Sequence, residues 1–122
     1  PRVSRWSTYY PKKYTKFKKD MEALTSELDT TPCESLVVVS LRFKIKIPQS
    51  WSKKKRLERE NTYCNNNSDI DNYIKAMLDS LNGVYFIDDR QVVEVFASKK
   101  YSNEPRILFT MMEMDNDKRG DV

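Results

Sequence analysis

Carboxylates are concentrated in one short stretch of this sequence, between Ser68 and Val95. The stretch contains five aspartates, which are Asp69, Asp71, Asp79, Asp88 and Asp89. Carboxylates that converge on one spot repel each other unless they share protons or a cation. Oxygen ligands without His or Cys select hard cations such as Mg²⁺ or Mn²⁺. We therefore interpret these acids as candidate ligands of a divalent metal, which would help water to attack a phosphate.

The composition excludes several other kinds of site. The 122-residue chain has no histidine, which excludes Ser-His-Asp triads, His-ligated zinc sites and His-dependent nucleases. Cys33 and Cys64 lack the C-x-x-C spacing and are expected to be reduced thiols. Two glycines are too few for a glycine-rich phosphate loop. Acid–base or metal chemistry must therefore use carboxylate, Lys, Tyr or Cys side chains.

The basic residues are unevenly distributed. The net charge is +4, but residues 1–19 carry seven cations and no acid, so the remaining residues sum to −3. Trp6, Tyr9 and Tyr10 lie among these cations, and aromatic rings can stack on unpaired bases. A second basic run occupies residues 53–56. The cations that we expect to hold backbone phosphates are Arg2, Arg5, Lys12, Lys13 and Lys16.

Nucleic acid is therefore the favoured partner, although a solvated basic face would also explain either run. An acidic membrane surface is a more distant alternative, since neither run has the amphipathic pattern of an interfacial helix. No apolar run approaches the roughly 18 residues of a membrane span.

Hydrophobic periodicity predicts a single α+β domain, with helices and strands in irregular alternation. The predicted helices are 12–27, 50–59 and 70–81, and the predicted strands are 36–47, 84–87, 91–100 and 106–114. Residues 1–11 are predicted to be an extended arm or loop, and residues 115–122 a polar tail outside the domain of residues 1–114. The predicted buried stripe of the third helix is Ile70, Ile74, Met77, Leu78 and Leu81. Asn82 and Gly83 are expected to end this helix.

Each acid also has an explanation that involves no chemistry. Ser68 and Asp71 match the looser form of a capping box, and Asp69 suits the first turn of a helix. Asp71 and Lys75 are spaced for an i,i+4 ion pair. Asp88 and Asp89 fit an ordinary turn. Asp69 and Asp71 can point the same way only if Asp69 is still extended.

Two segments of the chain resemble the signature of the RusA family of Holliday-junction resolvases, which are phage and prophage endodeoxyribonucleases. They are DIDNYIKAMLDSL at residues 69–81 and DDRQVV at residues 88–93. The arm PRVSRWSTYYPKKYTKFK, residues 1–18, is similar to the segment that follows the first strand of that family. Because family members usually begin with that strand, we expect sequence ahead of Pro1.

The resemblance implies a small α+β homodimer, with a mixed sheet and two main helices, that cuts four-way DNA junctions with Mg²⁺. It implies that Asp69, Asp71 and Asp89 are the essential acids and metal ligands and that Lys75 is the functional lysine. Asp88 is left as a residue that shapes the turn. The implied setting is the cytoplasm of a bacterial host.

Two rival interpretations remain open from the sequence. One is a non-catalytic DNA-binding module of the same fold, in which the aspartates only cap the helix. The other is a general metal-dependent nuclease for flaps or single strands. Metal-dependent cutting separates the first from a resolvase, and competition between a junction and a linear duplex separates the second.

Overall fold

The computed structural model describes the backbone of residues 4–9 and both backbone and side chains of residues 31–114. These residues form a four-stranded mixed sheet in the order β1-β4-β2-β3. The elements in chain order are β1 (Ser4–Tyr9), β2 (Val37–Lys46), α1 (Lys53–Arg59), α2 (Ile70–Leu81), a 3-10 turn (Asp89–Gln91), β3 (Val92–Ser102) and β4 (Arg106–Glu113). The predicted α+β class is confirmed. The predicted helix 12–27 and the tail lie outside the described residues.

Residues 4–9, predicted as part of an extended arm or loop, form a true edge strand. β1 pairs antiparallel with β4, with Ser4 opposite Met112 and Tyr9 opposite Ile107. The extended conformation was therefore predicted correctly, whereas its pairing was not. The pairing could not be predicted because a short edge strand needs a partner that its own sequence does not reveal.

β2 is the central strand, and its alternation produces the core. Val37, Val39, Leu41, Phe43 and Ile45 are all buried. Ile107, Phe109 and Met111 of β4 lie on the same side of the sheet, each opposite a buried residue of β2. Burying one such side chain contributes roughly 1.5–3 kcal/mol, so this face supplies much of the stability. The predicted alternation of strand 36–47 is confirmed.

α2 has the predicted ends, and its buried face includes most of the predicted stripe together with two residues that were not predicted. It begins after Asp69, and Gly83 follows it with φ +81, the left-handed conformation that favours glycine. The fully packed side chains are Tyr73, Met77, Ser80 and Leu81, whereas Ile70, Ile74 and Leu78 are only partly buried. The buried face thus extends to Tyr73, whose ring lies 5.1 Å from that of Phe43.

The hydroxyl groups of the two added residues both have hydrogen-bond partners. The hydroxyl of Tyr73 accepts a hydrogen bond from Asn66 Nδ2 at 2.9 Å. The Ser80 hydroxyl donates to the Ala76 carbonyl at 2.8 Å. Both groups are satisfied at the sheet face, so burying them carries little of the usual cost of a polar group. The predicted stripe was incomplete, because it counted only aliphatic residues and left out Tyr73 and Ser80.

β2, α2 and β3 form a crossover that makes β2 and β3 parallel neighbours. Residues 84–87, predicted as a strand, are instead a turn with an isolated bridge at Phe86. The Cys33 N–H donates to the Tyr85 carbonyl, and the Ile87 N–H donates to the Cys33 carbonyl. Phe86 is fully buried. The apolar run at 84–87 thus packs against the core and does not form a strand of the sheet.

The outer edge of β3 is covered along only part of its length. The Asn61 N–H donates to the Tyr101 carbonyl, and the Cys64 N–H donates to the Lys99 carbonyl. Toward its start, the same strand exposes Val93, Val95 and Phe96. We call these three residues and the exposed Ile87 the edge patch.

Both cysteines are free and buried, as predicted. Burial, and then a hydrogen bond involving the Glu113 side chain, raises the pKa of the Cys33 thiol. At the start of α1, Ser52 is the N-cap, and its Oγ accepts from the Lys55 N–H at 3.1 Å. Neither helix among the described residues is long and apolar enough to cross a membrane.

Candidate active site

Asp69 and Asp71 lie together at the start of α2. Asp69 is the N-cap residue, with extended backbone (φ −76, ψ 142), and Asp71 lies in the first turn. Both are exposed. The Asp69 side chain makes no capping hydrogen bond, so its carboxylate does not cap the N-terminus of the helix. The predicted capping box at Ser68 is therefore wrong, because Asp69 occupies the N-cap position.

The loop before α2 is tied to the sheet by Lys99. The Lys99 ammonium donates to Asn66 Oδ1 at 2.8 Å and to the Ser68 carbonyl at 2.9 Å. Asn66 in turn donates to the Tyr73 hydroxyl. One partly buried lysine of β3 thus fixes the backbone immediately before Asp69. The sequence analysis missed Lys99, since its role depends on a contact 31 positions away in the chain.

Lys75 lies one turn after Asp71 and is exposed. In residues 31–114 it forms no ion pair with Asp71, so the structure does not contain the predicted i,i+4 pair. Asp79 is also exposed and lies two turns further along the helix than Asp71. Lys75 therefore remains available as a cation beside Asp71.

Asp88 and Asp89 lie in a turn that is held by Gln91. Gln91 Oε1 accepts from the N–H groups of Ile87 and Asp88, both at 2.9 Å. Its Nε2 donates to the carbonyls of Cys33 at 2.7 Å and Ser35 at 2.8 Å. All four hydrogen-bonding positions of this amide are used. Gln91 thus anchors the turn to the segment that leads into β2.

The two acids of the doublet have different surroundings. Asp88 Oδ1 accepts from the Arg90 N–H at 2.9 Å, and this hydrogen bond is the main cause that lowers the pKa of the Asp88 carboxyl. Arg90 Nε also lies 3.6 Å from Asp88 Oδ1. Asp88 therefore caps the 3-10 turn, while Asp89 is the more exposed acid. This arrangement agrees with the prediction that Asp88 shapes the turn.

Asp89 and the Asp69–Asp71 pair lie at opposite ends of α2. Lys99, near the end of β3, contacts the loop before the helix, whereas the Gly83 N–H after the helix bonds to Phe86, close to the start of β3. Twelve helical residues span about 18 Å. No group of three acids, cysteines or histidines in the described part of the chain could hold a metal ion. One copy therefore does not bring the three predicted acids together.

The predicted DNA-binding cations of the arm cannot be placed with the site. Arg5 lies in β1, opposite Met111, and only its backbone is described. Arg2, Lys12, Lys13 and Lys16 lie outside the described residues. The second basic run forms the exposed α1, in which Lys55 Nζ lies 4.1 Å from the centre of the Trp51 ring.

The family model described as endodeoxyribonuclease RusA matches residues 1–112. The chain belongs to the RusA endodeoxyribonuclease family. This result confirms the resemblance that residues 69–81 and 88–93 carry. A curated relative, an uncharacterized protein YqaN of Bacillus subtilis (strain 168), is 37% identical over 68 residues. That alignment covers 56% of this chain and 48% of the relative, so the chain spans about half the length of YqaN.

Proposed function

We propose that this RusA-family chain is a metal-dependent endodeoxyribonuclease that resolves four-way DNA junctions by paired hydrolysis of phosphodiesters. The observation that carries the proposal is the exposed pair Asp69 and Asp71, held at the start of α2 by the Lys99-anchored loop. A carboxylate at the N-cap that makes no capping hydrogen bond is available for another ligand. The rival in which these acids only cap the helix does not explain that feature for Asp69.

The donor atoms suit a hard cation such as Mg²⁺ or Mn²⁺. Asp69 and Asp71 supply oxygen ligands, and the chain has no histidine that would favour a softer metal. A bound divalent cation would lower the pKa of a coordinated water and neutralise charge on the phosphate oxygens. In this proposal the two carboxylates would hold the cation next to the scissile phosphate.

Lys75 is the proposed cation next to the reacting phosphate. It follows Asp71 by one helical turn, so both side chains lie on neighbouring parts of the same exposed face. Its ammonium would stabilise negative charge that develops on the phosphate oxygens.

Asp89 joins this site in the proposal only if a second copy provides it. Within one chain the length of α2 separates Asp89 from Asp69. The edge patch, with Ile87 and Val93, flanks the turn that carries Asp89. A symmetric dimer that buries the edge patch would place each Asp89 at the interface, where it can face the α2 start of the partner.

Two nicks in strands of like polarity are needed to resolve a junction. A four-way junction has approximate two-fold symmetry, and a dimer with two matching sites has the same symmetry. A homodimer therefore also explains how both cuts are made in one binding event.

The direct test is cleavage of a labelled four-way junction with Mg²⁺ or with EDTA. We expect the wild type to cut only with the metal, and Asp71→Asn to abolish cutting while junction binding persists. Cutting is lost because the substitution removes a metal ligand. Binding persists because the substitution also removes a negative charge that repels phosphate. Asp79→Asn on the same helix is the matched control and should cut like the wild type.

Three results would contradict the proposal. Cutting that is unaffected by EDTA would exclude the metal, and full activity of Asp71→Asn would exclude the site. Equal cutting of flaps or single strands in competition with the junction would favour a general nuclease.

A further inference from the structure

A row of positive charges crosses the sheet on the face opposite the core. In β2, residues that alternate with the buried ones point away from α2, and three of them are cations. Lys44 pairs with Lys100 of β3 on one side and with Arg106 of β4 on the other. We call the five basic residues on this face the sheet-face cations; they are Arg42, Lys44, Lys46, Lys100 and Arg106.

The fold holds these charges together against their mutual repulsion. Like charges directly opposite each other on neighbouring strands are destabilising. Partial burial is the main cause that lowers the pKa of Lys44, and the nearby charges of Lys100, Arg106 and Arg42 lower it further. Glu60 acts in the opposite direction on Lys44. A phosphate on this face would be attracted by each of these charges.

Hydrogen bonds and a cation–π contact position three of the side chains in this row. Lys44 Nζ donates to Asn61 Oδ1 at 3.2 Å. Lys100 Nζ lies 5.0 Å from the centre of the exposed Tyr63 ring. Arg106 Nη1 donates to Ser102 Oγ at 3.2 Å and to the Glu104 carbonyl at 2.8 Å, and the Glu104 carboxylate lies 4.0 Å away. Positioned cations lose less side-chain entropy when a ligand binds.

This surface lies on the opposite face of the sheet from the candidate active site, and both are near the same end of β3. Lys99 and Lys100 are consecutive on β3 and point to opposite faces of the sheet. Lys99 reaches the loop before Asp69, while Lys100 belongs to the sheet-face cations. The basic helix α1 is joined to the same end of β3 through the hydrogen bond from Asn61 to Tyr101. A nucleic acid that contacts both surfaces must therefore pass around the edge or the end of β3.

We propose that the sheet-face cations form a second binding surface for phosphates, which holds the backbone of a duplex arm of DNA. Alternate residues of β2 are about 6.6 Å apart, close to the separation of successive phosphates on one DNA strand. The positive charges of the sheet-face cations are opposite in sign to the phosphates of a DNA backbone. The inference rests on the proposed function only in taking DNA as the ligand.

The test measures the salt dependence of binding to a four-way junction and to a linear duplex. The variant carries Arg42→Gln, Lys44→Gln and Lys100→Gln. Arg106 is kept because its guanidinium also fixes the turn after β3. We expect the magnitude of the log–log salt slope to fall by about 2 to 3 for both DNAs, since each lost phosphate contact lowers it by about one.

A charge-preserving variant is the matched control. Arg42→Lys, Lys44→Arg and Lys100→Arg keep the positive charges, so this protein should retain the wild-type slope. The thermal unfolding of the glutamine variant is measured in parallel, and a cooperative transition shows that it is folded. Loss of binding together with a stable fold separates a binding role from a structural one.

Two outcomes would overturn the inference. One is a glutamine variant with the wild-type slope, and the other is an equal loss of slope in the charge-preserving variant. Failure of the proposed function is seen separately, as a wild-type protein that binds duplex with a steep salt slope but does not cut junctions.

Discussion

Lys75 is an exposed residue, and folding alone does not account for a cation at this position. It lacks an ion pair with Asp71, and an exposed helical pair would contribute only about 0.3–0.5 kcal/mol in any case. Lys75→Ala should therefore leave the thermal midpoint almost unchanged. We expect it to slow junction cutting roughly a hundredfold, as for the loss of one group that stabilises transition-state charge.

The measurement is single-turnover cutting of the junction at saturating protein, with binding measured in parallel. Lys75→Arg is the informative control, because it keeps the charge and should restore part of the rate. A Lys75→Ala protein that cuts at the wild-type rate would leave Lys75 as an ordinary surface residue.

At the scale of elements, short sequence patterns predicted the ends of α2 and the buried face of β2. The extended Asp69, the helical run to Leu81 and the left-handed Gly83 set both ends of α2, and all three can be seen in the sequence. The alternation of β2 likewise predicted its buried face. Each of these features depends on neighbours within one or two turns of the chain.

Features that depend on distant contacts could not be predicted in this way. The exposed start of β3, the turn at residues 84–87 and the role of Lys99 all follow from how elements pack together. The separation of Asp89 from Asp69 has the same origin, since it depends on the antiparallel packing of α2 against β3. The sequence led us to expect these acids to converge within one chain, and the described residues contain no such group.

The turn at 88–91 offers a test of how an element is held. Gln91 makes four hydrogen bonds, to Ile87, Asp88, Cys33 and Ser35. Gln91→Ala leaves these backbone groups partly unsatisfied, and we expect a loss of about 2 kcal/mol in the free energy of unfolding. For a chain of this size the thermal midpoint should fall by roughly 5 to 10 °C.

Calorimetry or circular dichroism would measure this change. The matched control is Gln49→Ala, because Gln49 is an exposed glutamine with a single side-chain contact to Arg56. If the two variants melt together, the anchoring role of Gln91 is wrong.

At the scale of the whole molecule, the edge patch is an exposed apolar surface of residues 31–114 that a second copy could bury. Phe96 is 61% exposed on a strand whose edge is otherwise open toward its start. Phe96→Glu should convert the proposed dimer to a monomer. Sedimentation should then report the 14.5 kDa chain mass, whereas we expect twice that mass for the wild type.

Leu57→Glu is the control for this change. Leu57 is 66% exposed on α1 and lies outside the edge patch, so its replacement should leave the dimer intact. A wild type that sediments as a monomer at micromolar concentration would contradict the dimer itself.

A site shared between two copies makes a prediction that a site within one chain cannot. Asp71→Asn and Asp89→Asn should each be inactive alone. In a mixed dimer, one shared site loses both acids, whereas the other combines an intact Asp71 from one copy with an intact Asp89 from its partner. Equimolar mixing should therefore restore about a quarter of the wild-type sites, since about half of the dimers are mixed and each has one good site.

The restored activity has a distinctive product. Each mixed dimer has one working site, so it should nick one strand of the junction and release a nicked junction without the paired cut. The experiment requires subunit exchange, which differently tagged copies would verify by co-purification. If exchange is complete and the mixture is as inactive as either variant alone, Asp71 and Asp89 do not meet across the interface, and the shared site is wrong.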